Sequence, residues 1–134
     1  MMNTKLLMTI SSVLLGLAGI FALFAPENFL AMLGVPMVNP LSILIQLLGA
    51  FYFSNALINW TAKDSAIGGI YARPVSLGNL SHFFIGTLIF AKYLLSNGFN
   101  VFVLLSVVVY AILAFLFYWL VFRHTGIRTD KNFQ

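Results

Sequence analysis

The sequence contains no cysteine, which excludes disulfides, thiolate nucleophiles, iron–sulfur clusters and cysteine-ligated zinc. Charge is nearly as scarce. Only 7% of the 134 residues are charged, against about 25% in ordinary soluble domains. Three residues are acidic, Glu27, Asp64 and Asp130, and none falls within a long apolar run. No carboxylate is therefore expected at membrane depth as an acid, a base or an ion ligand. The two histidines, His82 and His124, are too far apart for a metal-ligand spacing, so no metal and no other cofactor is expected.

What remains is hydrocarbon. Hydrophobic residues make up 61% of the chain and the mean hydropathy is +1.00. A soluble domain of this size buries too small a fraction of its surface to hide that much apolar side chain, whereas a lipid solvent removes the need. The net charge of +4 does not point to nucleic acid, because the basic residues stand singly between apolar runs.

A bilayer core of about 30 Å needs about 20 helical residues to cross it. Four stretches qualify: residues 6–25, 40–61, 74–95 and 101–122. The first follows Lys5 and stops at Pro26. It is longer than the apolar region of a signal peptide, and no small-residue cleavage pattern follows it, so it is expected to stay as a span. The second opens at Asn39-Pro40, read as a cap followed by proline at the first helical position. The third opens at Pro74 and closes at Asn97-Gly98, a good terminator. The fourth carries no charge, and Asn100 is its expected cap. Strands are a poor alternative, since barrel strands are short and alternate in polarity, while backbone in lipid must satisfy its hydrogen bonds within the segment. The expected fold is all-α, a polytopic membrane protein with residues 1–134 forming one four-helix transmembrane bundle.

Between the first two spans, Pro26-Glu-Asn-Phe-Leu-Ala-Met-Leu-Gly34 reads as a short helix with Glu27 in its favourable first turn. Its Phe29, Leu30, Met32 and Leu33 suit the membrane interface. The turn from Ser96 to Asn100 forces the last two spans into an antiparallel hairpin. With the N-terminus in the cytoplasm, six of the seven basic residues lie inside: Lys5, Lys63, Arg73, Arg123, Arg128 and Lys131. Only Lys92 lies outside, where it can snorkel to the headgroups. The basic-inside bias predicts an inner-membrane protein with both termini cytoplasmic.

Polar side chains inside a span are costly and face other helices or a cavity. Helix periodicity puts Asn55 and Asn59 on one face of the second span, with Tyr52 nearby, and Gly78, His82 and Gly86 on one face of the third. Asn79 lies about 60° around from His82. Counted from the cytoplasmic ends, Asn55 and His82 sit roughly 9 and 12 Å deep, and Asn59 and Asn79 roughly 3 and 8 Å. The four are expected to meet in the cytoplasmic half, beneath a rim of Lys63 and Arg73. Gln46 points away into the outer half. In one reading these groups only hydrogen-bond across a helix interface. In the other, Asn55, Asn59, Asn79, His82, Lys63 and Arg73 form a polar pocket that binds a headgroup or another amphipathic molecule, with the two cations attracting anionic lipid. Elsewhere the residues read as scaffold. Ser12, Gly16 and Gly19 form a packing stripe, and Trp60, Tyr118 and Trp119 form an aromatic belt at the inner interface. Arg123, His124 and Arg128 hold the last span against the headgroups, and Gly68-Gly69 is loop.

The run Ala25-Pro-Glu-Asn-Phe-Leu, ending Leu-Gly-Val-Pro36, and the run Leu-Leu-Gly-Ala-Phe-Tyr at residues 47–52, resemble the small four-helix membrane proteins of the DoxX-like type. The resemblance covers most of the chain. It implies the four-span architecture and a lipid or quinone-like small molecule as partner, since some relatives are associated with quinone-linked oxidation. An arginine common in the second span of such proteins has no counterpart here, and no catalytic residue carries over. Three functions follow as expectations. The first is a non-enzymatic accessory subunit or lipid- or small-molecule-binding protein. The second is a membrane enzyme or redox subunit acting on a lipid-soluble substrate through the cluster around His82, the one intramembrane group that titrates near neutrality. The third is a small transporter acting as a homo- or hetero-oligomer.

Overall fold

The computed structural model describes residues 3–64 and 72–123. All regular structure among them is helical: α1 (Thr4–Phe24), α2 (Pro26–Met32), α3 (Asn39–Ala62), α4 (Ala72–Asn97) and α5 (Val101–Arg123). Four of these, all but α2, are long and apolar enough to cross a membrane. The Gly68-Gly69 pair, His124, Arg128, Asp130 and Lys131 lie outside the described residues.

Helix ends follow from local chemistry. Asn3 caps α1, its side chain accepting the Leu6 N–H at 3.1 Å. Asn100 caps α5 by accepting the N–H groups of Phe102 and Val103 at 2.9 and 3.2 Å. Gly34 and Gly98, at φ +73° and +85°, end α2 and α4 in the left-handed conformation that glycine adopts without steric cost. One expected cap is corrected. Asn39 is the first residue of α3, and the cap is extended Val38, with no side-chain bond; its carbonyl accepts from Leu41 and Ser42. Pro40 thus falls within the first turn, where a missing N–H leaves nothing unsatisfied. For the same reason α4 begins at Ala72, with Pro74 inside its first turn rather than opening it.

The bundle is built from two helix pairs. In the first, α1 packs along α3 through small residues. A Cβ on Gly19 would lie 2.7 Å from the Phe53 nitrogen and 2.8 Å from the Gly49 oxygen, so the two backbones approach as only glycine permits. The Ser12 hydroxyl donates to the Ala56 carbonyl at 2.7 Å, which ties the stripe of the first span to α3. In the second pair, α4 and α5 form the antiparallel hairpin, with Phe83 stacked on Phe117 at 5.7 Å and Gly86 beneath the Tyr110 ring. Core residues Met8, Leu15, Phe83, Leu113 and Phe117 lie where the pairs meet. The outer surface is apolar, Phe51 for example being 69% exposed, an inside-out pattern consistent with lipid contact and unfit for water.

α2 lies across the ends of the bundle distal to Lys5 and Asp64. Leu30 packs with Ala22 of α1 and Ile45 of α3, and the Phe29 ring meets Phe21 at 6.3 Å.

Candidate functional site

At the end where α1 starts and α3 finishes, charge is confined to the surface. The Lys5 ammonium lies 2.6 Å from the Asp64 carboxylate, both well exposed, and the Lys63 ammonium sits 2.9 Å over the Trp60 ring. Arg73 is exposed in the first turn of α4. The hydrogen bond from Lys5 holds the Asp64 carboxyl below its ordinary value, the nearby Lys5 and Lys63 charges adding to the effect. A depressed carboxyl stabilises the fold above the unfolded value of about 3.9 and loses that contribution as pH falls through the depressed range. The Tm difference between the native chain and Asp64→Asn should therefore be small, fade with added salt, and vanish as the pH drops into that acid window.

One layer deeper, Asn59 of α3 and Asn79 of α4 are buried, at 1% and 7% exposure. They bond reciprocally: the Asn59 amide donates to the Asn79 oxygen at 2.8 Å, and the Asn79 amide donates to the Asn59 oxygen at 2.6 Å. The second Asn59 hydrogen goes to the Ser11 hydroxyl at 3.2 Å, and the second Asn79 hydrogen to the Val75 carbonyl at 3.0 Å. Ser11 itself donates to the Met8 carbonyl at 3.0 Å. An amide has two N–H donors, so every donor in this group is engaged. The arrangement is a three-helix fastener joining α1, α3 and α4, with no donor left to offer a ligand.

His82 stands apart from that group, in an aromatic layer nearer the middle of the bundle. Its Nε2 is 3.4 Å from the Tyr110 hydroxyl, which donates to the Tyr52 hydroxyl at 3.0 Å. The Tyr52 and His82 rings meet edge to face at 5.4 Å. Asn55 is half-buried on the flank of α3, and no side-chain hydrogen bond links it to the described residues. Of the six residues expected to form a pocket, the structure brings Asn59 and Asn79 together, gives His82 tyrosine neighbours, and leaves Lys63 and Arg73 at the surface. Gln46 reaches the Leu23 carbonyl at 3.3 Å, in the half of the bundle away from these groups.

A cavity of about 290 Å³ opens on the other side of the aromatic layer. Leu15 and Phe83 form its floor, and the underside of α2, with Phe29, Met32 and Leu33, forms its roof. The wall along α5 runs from Phe102 to Leu113. Two polar side chains, Ser106 and Tyr110, are on the lining. Ser106 donates to the Phe102 carbonyl of its own helix at 2.8 Å, and Tyr110 donates to Tyr52. Patterning could not reveal this space, because its lining comes from four helices and differs in no way from ordinary core or lipid-facing residues. Ser106 and Tyr110 alone left a signal, as the two polar residues in the body of the fourth span.

Among the described residues no group of three or more His, Asp or Glu side chains converges to hold a metal ion. Comparison with family models, with curated proteins and with solved structures finds no match.

Proposed function

We propose that this chain is a multi-pass inner-membrane protein, with both termini cytoplasmic, that binds a lipid-soluble small molecule and performs no chemistry of its own. The cavity between the helix pairs carries this reading. It has roughly twice the volume of an apolar protein cavity that accommodates benzene, and it falls at the small end of the range for ligand pockets. Support for membrane placement comes from the four apolar helices, the apolar exterior and the bias of basic residues toward one end. α2 suits an interfacial position, with its apolar side against the bundle and Glu27 in its first turn. The DoxX-like resemblance belongs to the same proposal and agrees with it in architecture.

A non-catalytic role is favoured over an enzymatic one because His82 has tyrosines, not a carboxylate, as its neighbours, so an acid–base pair is lacking among the described residues around it. Filling the cavity tests the proposal. Native chain purified in mild detergent should retain about one apolar molecule per chain in native mass spectrometry, and Ser106→Phe should abolish retention while keeping the helical content. Equal retention by both proteins, or none by either, would refute it.

A further inference from the structure

Asn55 stands in α3 between the Asn59 fastener and the Tyr52 layer, and it shares in neither. Gly49 and Ala56 face α1, meeting Gly19 and the Ser12 hydroxyl, whereas Tyr52 and Asn59 face α4, meeting His82 and Asn79. By helical rotation Asn55 lies about 100° from Ala56 and about 40° beyond Asn59, on the side away from α1. It is therefore on the outer margin of the α3–α4 seam, half-buried. The rest of that margin on α3 is hydrocarbon. Leu48, Phe51 and Ile58 occupy the neighbouring turns and are 37, 69 and 48% exposed.

Neither lipid nor its own helix satisfies a carboxamide in this place. Asn55 is seven residues from Ala62, the end of α3, or about 10 Å along the axis. Its single methylene cannot carry the amide to the headgroups as the long stem of a lysine can, and a lipid tail offers neither donor nor acceptor. A hydroxyl in the same setting returns its hydrogen to a carbonyl one turn back, as Thr87 and Ser106 do. The oxygen of Asn55 has no such recourse, because N–H groups in the interior of a helix are already taken, and no side chain among the described residues donates to it. An unmet carboxamide in hydrocarbon is costly. What relieves it is a donor and an acceptor carried at the same depth by another membrane helix.

A second copy of this chain carries both. Copies of a polytopic chain insert in one orientation, so two lying side by side are related by a two-fold axis along the membrane normal. A residue on such an axis meets its own counterpart at its own depth, so its side chain must complement itself. A carboxamide does, through one N–H···O bond in each direction. The chain already uses this pairing between Asn59 and Asn79, at 2.8 and 2.6 Å. The second N–H of each Asn55 then has the Phe51 carbonyl one turn back, just as the second N–H of Asn79 has the Val75 carbonyl, and nothing is left unmet.

We propose that the outer margin of the α3–α4 seam is a homodimer interface, in which Asn55 pairs reciprocally with its counterpart in a second copy, flanked by Leu48, Phe51 and Ile58. This rests on the membrane placement of the chain and not on the cavity, whose lining includes no residue of α3.

The absence of cysteine makes disulfide cross-linking a clean test. Leu48→Cys, Phe51→Cys and Ile58→Cys, made singly in the full chain, are oxidised with copper phenanthroline in carbonate-washed native membranes. Leu17→Cys, at a position 63% exposed on α1, is the control. A linked dimer is expected from at least one of the three and not from the control, since a disulfide needs closely approaching backbones. Asn55→Leu added to the linking variant should raise the chain density needed for half-maximal cross-linking about tenfold, and Asn55→Gln should restore most of the loss. In native mass spectrometry the chain without added cysteine should appear as a dimer and Asn55→Leu as a monomer, with equal helical content. Should Asn55→Leu fail to fold, Ile58→Trp in the Leu48→Cys or Phe51→Cys background serves instead, because its added bulk stays outside the bundle and holds the copies apart.

No dimer from any of the three, a yield from Leu17→Cys equal to theirs, or a dimer indifferent to the substitution at Asn55 or Ile58 would overturn the interface. Cross-linking only to a different protein would place a foreign helix on the seam and overturn the second copy. Release of the chain by the carbonate wash would overturn the membrane placement itself.

Discussion

Gly19→Val is expected to lower the unfolding free energy by about 3 kcal/mol, the upper end of the usual cost of overpacking. The reason is geometric. The added Cβ would meet backbone atoms, the Phe53 nitrogen at 2.7 Å and the Gly49 oxygen at 2.8 Å, and backbone cannot swing aside as a flexible side chain can. The approach is mutual, since a Cβ on Gly49 would lie 2.9 Å from the Gly19 oxygen and from the Leu23 nitrogen. Relief requires α1 and α3 to separate, which also stretches the bond from Ser12 to the Ala56 carbonyl and loosens the Ala22–Leu30–Ile45 cluster under α2. Gly78 provides the control. Nothing lies within 4 Å of a Cβ built there, so Gly78→Ala should be neutral or stabilise by up to about 1 kcal/mol through helix propensity. Denaturant or thermal unfolding in detergent, followed by circular dichroism, measures both. Equal effects at the two glycines would show that the α1–α3 contact is not as close as described.

Asn59→Leu is expected to cost about 2 kcal/mol, within the range for stranding a buried hydrogen-bonding group. The substitution removes three hydrogen bonds and leaves the Asn79 carboxamide oxygen buried without its donor. Single interhelical hydrogen bonds in membrane proteins average only about 0.6 kcal/mol, so the stranded partner, rather than the lost bonds, dominates the cost. That identifies the informative second variant. Asn59→Leu with Asn79→Leu strands far less and should recover much of the loss, giving a clear coupling energy in a double-mutant cycle. Additive losses would show that the two amides do not act as a unit. A fastener of this kind fits a bundle in lipid, where apolar side chains gain little by leaving lipid for one another, and polar contacts and close packing decide which helices associate.

The two variants probe different joints of the same molecule. The glycine contact holds one helix pair together internally, whereas the amide pair joins one pair to the other at the Lys5–Asp64 end. At the far end the joining contacts are those of Tyr93 and Asn100 with the end of α2. Between them the Tyr110 hydroxyl donates to Tyr52 of α3 and joins the pairs a third time, and the apolar cavity lies between that aromatic layer and α2.

Much of this was legible in the residues alone, for reasons that are local. Span lengths follow from the bilayer thickness and the continuity of apolar residues. The stops at Gly34 and Gly98 follow from backbone conformations that only glycine adopts cheaply, and the Asn100 cap follows from its placement just before an apolar run. The packing role of Ser12, Gly16 and Gly19 was readable because small residues at helical spacing leave few alternatives. Even the meeting of Asn59 with Asn79 was within reach, since depth counted from the helix ends puts both in the same half of the bundle.

Tertiary structure alone decided what periodicity does not encode, namely the rotation of each helix against its neighbours. A helical wheel fixes angles within one helix but not the direction in which a partner lies. His82 and the asparagines therefore read as one cluster, although their facing differs: the amides close on each other and Ser11, and His82 turns to Tyr52 and Tyr110. The cavity was hidden for the same reason. Its lining is mostly leucine and phenylalanine drawn from the ends and faces of α1, α2, α4 and α5, and no residue type marks an empty space. The scarcity of charge along the spans determined the solvent this chain is suited to, and the facing of its helices decided which polar groups join the two pairs, Asn59 with Asn79 and Tyr110 with Tyr52.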